Sequence, residues 1–197
     1  LFAKINFKYL AFIFLLSLLI YPITLKITFS FDAGLYHLPY QNVLRSEKIS
    51  IGLANMSRFG FSTLQDYVNS ILWTGNFIFN KYLIGFYLVI FFSFLFDLNK
   101  SSSILNKIIL FSILVSLPFA SRYFVFATLK TDLALAVFLI IFYFFCLKYF
   151  LLENYNEKKE YFQLVFLLLL LVIMSKSTGL IAVILFLIVF FNYLASN

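Results

Sequence analysis

The stretch LALAVFLIIFYFFCLKYFLL, residues 133 to 152, decides the fold class of this chain. Its one charged side chain is Lys148. A transmembrane helix needs about 20 consecutive, mostly apolar residues, and this stretch meets that length. Lipid offers no hydrogen-bond partners to the backbone, so a crossing segment must satisfy its own N–H and C=O groups as a helix. We therefore predict an all-α membrane protein.

The composition of the whole chain has the same character. Hydrophobic residues make up 63% of the 197 residues, charged residues make up 12%, and phenylalanine alone accounts for 29. The mean hydropathy is +1.01 for a mass of 23.0 kDa. A soluble domain of this size has too little interior to bury so much apolar surface. The composition predicts a polytopic protein embedded in the lipid bilayer.

Six apolar stretches are predicted to form a bundle of transmembrane helices in a single domain over residues 1–197. The last two are separated by SKSTG (175–179), which allows a helical hairpin or a broken re-entrant pair, and we favour the hairpin. The start at Leu1 instead of Met predicts the N-terminal part of a longer protein. The predicted spans are Tyr9 to Leu25, Phe77 to Phe96, Ile104 to Phe119, Leu133 to Leu152, Tyr161 to Met174 and Gly179 to Leu194.

Residues 26–76 form a long connection after the first span, and loops of such length usually have a function. We predict two short helices in it at the membrane interface, over 33–46 and 63–73. Asp32 is the predicted N-cap of the first, and STLQ (62–65) is the predicted capping box of the second. The aromatic content of the segment is typical of an interfacial element.

Basic residues favour a cytoplasmic N-terminus, which places residues 26–76 outside as the first outer loop and residues 153–160 inside. Long loops cross the membrane regardless of charge, so residues 26–76 are left out of the comparison. The inner side then carries Lys4, Lys8, Lys100, Lys107, Lys148, Lys158 and Lys159, and the outer side carries Lys81, Arg122, Lys130 and Lys176.

Several kinds of site have no support in the sequence. The net charge of +7 is spread without a basic block, so no nucleic-acid partner is predicted. The chain has one cysteine, Cys146, and it lacks HxxxH, CxxC, HExxH, P-loop and GxGxxG patterns. We predict no metal site and no cofactor, although a divalent metal stays an open alternative, and the oligomeric state is left open.

Four of the acidic residues face the predicted outer side: Asp32, Glu47, Asp66 and Asp132. Asp32 and Asp132 can lie at membrane depth, where ionisable groups are costly and usually line a cavity or pathway. Each of the three aspartates also has a simpler interpretation. For Asp32 it is an N-cap alone. For Asp66 and Asp132 it is stabilisation by the helix dipole alone. The simpler interpretation of His37 is a histidine at the membrane interface whose hydrogen bonds are satisfied.

Basic residues share that side: Arg45, Lys48 and Arg58 in the long loop, with Arg122 and Lys130 further along the chain. Such cations beneath an interfacial loop fit the phosphate of a lipid. The alternative for each residue taken singly is ordinary contact with lipid headgroups.

These features resemble the GT-C class of membrane glycosyltransferases. Residues 32–62 are more similar still to a group of bacterial polytopic proteins with a DxxxYH element followed by GLxNxxxRxG. KTDLAL (130–135) and SKSTGL (175–180) also resemble outer-side turns of GT-C proteins. Asp32 is followed by Ala33, where many GT-C enzymes carry a second acidic residue. The motif positions are Asp32, Tyr36, His37, Gly52, Leu53, Asn55, Arg58 and Gly60.

The resemblance implies transfer of a sugar from a polyprenyl-phosphate carrier to an acceptor at the outer face of a bacterial inner membrane, in cell-envelope polysaccharide or glycolipid synthesis. Asp32 would be the catalytic base and Arg58 the phosphate clamp, with Arg45 and Lys48 behind it. His37 would bind the acceptor or orient the base. Two alternatives stay open, a transporter or flippase and a non-catalytic assembly protein. The further substrate-binding residues predicted are Tyr36, Asn55, Arg122, Lys130 and Asp132.

Overall fold

A computed structural model describes residues 7–25, 63–72, 78–126 and 132–195. This part of the chain is all-α, as predicted, with seven α-helices and one 3-10 helix. The helix predicted over 63–73 is present, one residue shorter at each end, whereas the helix predicted over 33–46 lies outside the described residues. The α-helices are α1 Phe7–Thr24, α2 Leu64–Leu72, α3 Ile78–Lys100, α4 Ile104–Phe126, α5 Asp132–Phe150, α6 Tyr155–Ser175 and α7 Ala182–Ala195, with the 3-10 helix Ser177–Ile181 before α7.

Three segments are long and apolar enough to cross a membrane: Lys81–Lys100, Leu133–Phe150 and Thr178–Ala195. Two shorter apolar stretches, Ala11–Thr24 and Ile104–Val115, belong to α1 and α4. The structure therefore contains a helix at each of the six predicted spans, and three of these helices qualify as spans by length and composition.

The outer surface of the bundle is apolar, as a lipid environment requires. Large hydrophobic side chains stand away from the protein on several helices, including Leu19 at 74% exposed, Phe111 at 68% and Phe191 at 63%. In water such a surface would be strongly unfavourable and would drive aggregation. These exposures support a multi-pass membrane protein.

Contacts between aromatic rings show how the helices run. Tyr87 of α3 contacts Phe138 of α5, and further along both helices Phe94 contacts Phe144, so α3 and α5 are parallel. α4 connects them through a three-residue turn after Lys100, which returns the chain to the end where α5 begins.

The last three described helices alternate in direction. Phe145, near the end of α5, contacts Tyr161 near the start of α6. Phe162 of α6 stacks on Tyr193, near the end of α7, with ring centroids 4.3 Å apart. α6 and α7 are therefore an antiparallel helical hairpin, which is the favoured one of the two predicted alternatives.

α5 lies at the centre and has two buried faces. Ala134 and Val137 pack with α3, while Phe142, Cys146 and Tyr149 pack with α6 and α7. A helix that is apolar all round is suited to such a central position. Cys146 is 1% exposed and packs there as a small hydrophobic residue.

A seam of small residues joins α1 to α3. Ser17 is 0% exposed, and a Cβ atom added to Gly85 would lie 3.3 Å from its carbonyl oxygen. The hydroxyls of Ser17 and Thr24 donate to carbonyls of their own helix, at 2.7 Å each, so that both can be buried without loss of hydrogen bonds. Small residues of this kind allow two helices to approach closely. Close packing matters in lipid, because the hydrophobic effect does not drive helices together there.

The turn between α6 and α7 is built around Gly179. Its N–H donates to the carbonyl of Lys176 at 2.8 Å, and the turn folds back onto the last part of α6. A Cβ atom on Gly179 would lie 2.5 Å from the carbonyl oxygen of Val172, which is closer than real Cβ contacts come. This position therefore requires glycine for space.

We expect Gly179→Ala to destabilise the hairpin by about 1–3 kcal/mol, the usual cost of overpacking. The clash is with backbone atoms, which cannot move aside as a flexible side chain would. Denaturation of the purified protein in mixed detergent micelles, followed by circular dichroism, measures the effect. Gly85→Ala is the matched control, because its closest contact of 3.3 Å needs a much smaller shift. Equal unfolding midpoints for Gly179→Ala and the wild type would contradict the prediction.

Candidate functional site

One end of the bundle, which we call the α2 end, collects the features with functional potential. It holds Leu25 after α1, the first turns of α3 and α5, and Ser175 at the end of α6. α2 packs against both α3 and α6. The opposite end, which we call the lysine end, holds the turns 101–103 and 151–154.

Lys81 fixes the end of α1 to the start of α3. Its Nζ donates a hydrogen bond of 2.7 Å to the carbonyl oxygen of Leu25. The last carbonyls of a helix lack intrahelical partners and carry partial negative charge, so a lysine ammonium is a favourable partner for them. The end of α1 and the start of α3 therefore lie together at the α2 end.

α2 begins with a capping box made by Thr63 and Asp66. The carboxylate of Asp66 accepts from the backbone N–H of Thr63 at 3.1 Å and from its hydroxyl at 2.7 Å. The N–H of Asp66 in turn donates to the Thr63 hydroxyl oxygen at 3.2 Å. The predicted box of Ser62 and Gln65 is thus displaced by one residue. A carboxylate is a stronger acceptor than an amide, which favours the register that uses Asp66.

The polarity of α2 is the reverse of that found in water-soluble proteins. Its buried side chains are Asp66, Asn69 and Ser70, spaced to form one face, and Asn69 is 1% exposed. The Ser70 hydroxyl donates to the carbonyl of Tyr67 at 2.7 Å. On the opposite side Ile71 is 76% exposed. The helix turns its polar face towards the protein and its apolar face outwards.

α6 also ends in a buried polar residue. Ser175 is buried, and its hydroxyl donates to the carbonyl of Leu171 at 2.6 Å. Lys176 then leaves the helix in an extended conformation, at φ −165° and ψ 145°. Together with α2 and the buried Thr24, this gives the α2 end a concentration of buried hydrogen-bonding groups.

Two of the predicted site residues lie on described helices. Asp132 is the first residue of α5, and Arg122 lies in the last two turns of α4, so both backbones belong to the α2 end. The other predicted residues lie outside the described part of the chain: Asp32, Tyr36, His37, Arg45, Lys48, Asn55, Arg58 and Lys130. Lys130 belongs to the segment 127–131, which connects the end of α4 to the start of α5. The others belong to the segment 26–62, which connects Leu25 after α1 to Thr63 before α2.

Four polar residues of the α2 end were not predicted from the sequence as site residues: Lys81, Asn69, Ser70 and Ser175. A signal for two of them was present, since Asp66, Asn69 and Ser70 follow the spacing of one helical face. A helix on a membrane surface would turn such a polar face to water. Packing against α3 and α6 shows that it is the protein side.

The lysine end has a different character. Lys100 lies over the ring of Phe96 and Lys148 over the ring of Phe144, with the nitrogens 4.4 and 5.7 Å from the ring centroids. Such contacts are typical of lysines that extend from a helix towards a charged membrane surface. A hydrogen bond with Tyr193 raises the pKa of Tyr155, so its phenol stays protonated at any physiological pH.

No group of three His, Cys, Asp or Glu side chains that could hold a metal ion occurs among the residues with a described position. The one histidine of the chain, His37, is not among them. The described side chains of the α2 end offer the ammonium groups of Lys81 and Lys176, the capping carboxylate of Asp66, and buried amide and hydroxyl groups.

Comparison of the chain with protein-family models, with curated proteins and with solved structures finds no match.

Proposed function

We propose that this chain is a GT-C-like membrane glycosyltransferase, which moves a sugar from a polyprenyl-phosphate carrier to an acceptor at the outer face of a bacterial inner membrane. The observation that carries the proposal is the common anchoring of the candidate site. The segments with Asp32, Arg58 and Lys130, and the first residue of α5, are all attached at the α2 end. This common attachment supports a site that draws on separate parts of the chain at one face of the membrane.

Chain length supports this convergence. Asp32 follows Leu25 by seven residues, and Arg58 precedes Thr63 by five. An extended chain spans at most about 3.6 Å per residue, so these residues stay within roughly 25 and 18 Å of their anchors. Lys130 is two residues from the first residue of α5.

The distribution of lysines supports the proposed orientation, with the α2 end outside. The lysine end carries five lysines on or beside two short turns, whereas the described helices and turns of the α2 end carry three basic residues, Lys81, Arg122 and Lys176. Short loops with more Lys and Arg usually stay in the cytoplasm. The five are Lys100, Lys107, Lys148, Lys158 and Lys159.

The proposed reaction is an inverting transfer. Asp32 takes the proton of an acceptor hydroxyl as its oxygen attacks the anomeric carbon. The bond from that carbon to the carrier phosphate breaks, and polyprenyl phosphate leaves with the electron pair. Arg58, with Arg45 and Lys48 behind it, stabilises the charge that develops on the departing phosphate. His37 binds the acceptor or orients the base.

The remaining proposed substrate contacts come from Tyr36 and Asn55 in the first outer loop and from Arg122, Lys130 and Asp132 across from it. α2 is, in this proposal, the second short helix of that loop. Its buried capping box holds the end of the segment that carries Arg58, so the phosphate clamp is attached to a fixed element.

Reconstitution of the full chain tests the proposal. We expect proteoliposomes to consume a radiolabelled polyprenyl-phosphate sugar, to release polyprenyl phosphate, and to place the label on an acceptor from the cell envelope. Liposomes without protein are the control. Movement of the lipid between leaflets without cleavage of its sugar would instead identify a flippase. Failure to process any polyprenyl-phosphate sugar in the presence of total envelope acceptors would contradict the proposal.

A further inference from the structure

α2 buries polar side chains and exposes an apolar one. Desolvation of polar groups is costly, and exposure of an isoleucine to water is unfavourable. The buried face carries Asp66, Asn69 and Ser70, while Ile71 on the other side is 76% exposed. That exposure is similar to the 68% of Phe111, on the apolar outer side of α4. The arrangement is more favourable when the Ile71 side of α2 meets apolar surroundings than when it meets water.

The charges of α2 exclude the ordinary position of an amphipathic helix on a membrane surface. Such a helix keeps a strongly charged face in water, usually rich in Lys and Arg, and turns its apolar face to the lipid. The one charged residue in the sequence of α2 is Asp66, which is buried and bonded within the capping box. α2 thus has no charged face for water.

We infer that α2 is inserted among the acyl chains of the bilayer, with the Ile71 side facing lipid and the Asn69 side facing α3 and α6. The acyl chains take the place of the apolar core that a soluble protein would supply. The polar inner face stays shielded from lipid by the helices against which it packs. This assignment concerns the depth and rotation of α2, and it stands independently of glycosyl transfer.

One consequence follows for the segment 26–62. Its first end is fixed at Leu25 by Lys81, and its second end continues through Thr63 into a helix held in lipid. Both ends of the segment are thereby tied to the membrane-embedded part of the protein.

Fluorescence quenching tests the inference. Ile71→Cys in a Cys146→Ala background gives a single thiol, because Cys146 is the one native cysteine. The thiol is labelled with an environment-sensitive fluorophore, and the protein is reconstituted in liposomes. We expect most of the fluorescence to be lost when the lipids carry brominated acyl chains, and little to be lost on addition of aqueous iodide.

Two matched positions calibrate the measurement. Phe111→Cys, on an exposed apolar side chain of α4, should be quenched by brominated lipid, and Glu157→Cys, on the exposed first turn of α6, should be quenched by iodide. Iodide quenching at position 71 like that at position 157 would overturn the inference in favour of a water-facing helix. Quenching by neither agent would overturn it in favour of a covering protein segment. Circular dichroism verifies that each variant is folded.

Discussion

Asp32→Asn should abolish glycosyl transfer while the protein still inserts and folds. Asparagine is as good an N-cap as aspartate, so the substitution preserves any helix that Asp32 caps. An amide cannot accept a proton as a carboxylate does, and general-base catalysis contributes roughly 10²–10⁴-fold to a rate. The initial rate of sugar transfer in proteoliposomes, normalised to folded protein, measures the loss.

The same substitution at Asp66 is the matched control. Asp66 is a capping carboxylate in the described structure, and an asparagine there can still accept from Thr63. We expect Asp66→Asn to retain most of the transfer rate. If Asp32 is only a cap, Asp32→Asn will be nearly silent in the same way, and Asp32→Ala will be mildly destabilising. Full activity of Asp32→Asn would rule out Asp32 as the base and would make Asp132 the next residue to test.

Arg58→Ala should weaken use of the lipid-linked donor far more than Arg58→Lys. A guanidinium binds phosphate through two parallel N–H groups, whereas the ammonium of lysine keeps the charge without that geometry. Removing one partner of a buried charge pair costs on the order of 2–5 kcal/mol. Steady-state kinetics with varied polyprenyl-phosphate sugar should show the loss in kcat/KM for the donor.

Lys107→Ala controls for the general loss of a positive charge. Lys107 lies in the first turn of α4 at the lysine end, on the other side of the proposed membrane from Arg58. Its removal should leave donor kinetics unchanged. Wild-type kinetics for both Arg58→Ala and Arg58→Lys would exclude Arg58 from the donor site.

The positions of the helices follow from local properties of the chain. Apolar runs in a membrane must be helical, since each backbone group has to be bonded within its own segment. The polar residues of SKSTG end α6, and Gly179 occupies a position that has no room for a side chain. α2 was recognisable from a hydroxyl residue and a suitable acceptor three positions later, although the box lies one residue further along than predicted.

The candidate site was predicted in part. The sequence predicted Asp132 and Arg122 on the same side of the membrane. The directions of α4 and α5 place the backbones of both residues at the same end of the bundle. The role of Lys81 in joining α1 to α3 was not predicted, because a lysine at the start of an apolar helix usually contacts lipid headgroups. Its acceptor, the carbonyl of Leu25, is 56 positions away in the chain.

The sequence by itself determined the all-α membrane class, the approximate limits of the helices and the hairpin at 175–179. Only the tertiary structure decided which faces of the helices meet, such as Gly85 against Ser17 and the polar face of α2 against α3 and α6. The reason is physical. In lipid, both the protein-facing and the lipid-facing sides of a helix are apolar, so hydrophobic periodicity carries little information about packing. In the position inferred for α2, apolar surroundings would reverse the rule that assigns polar residues to the outside.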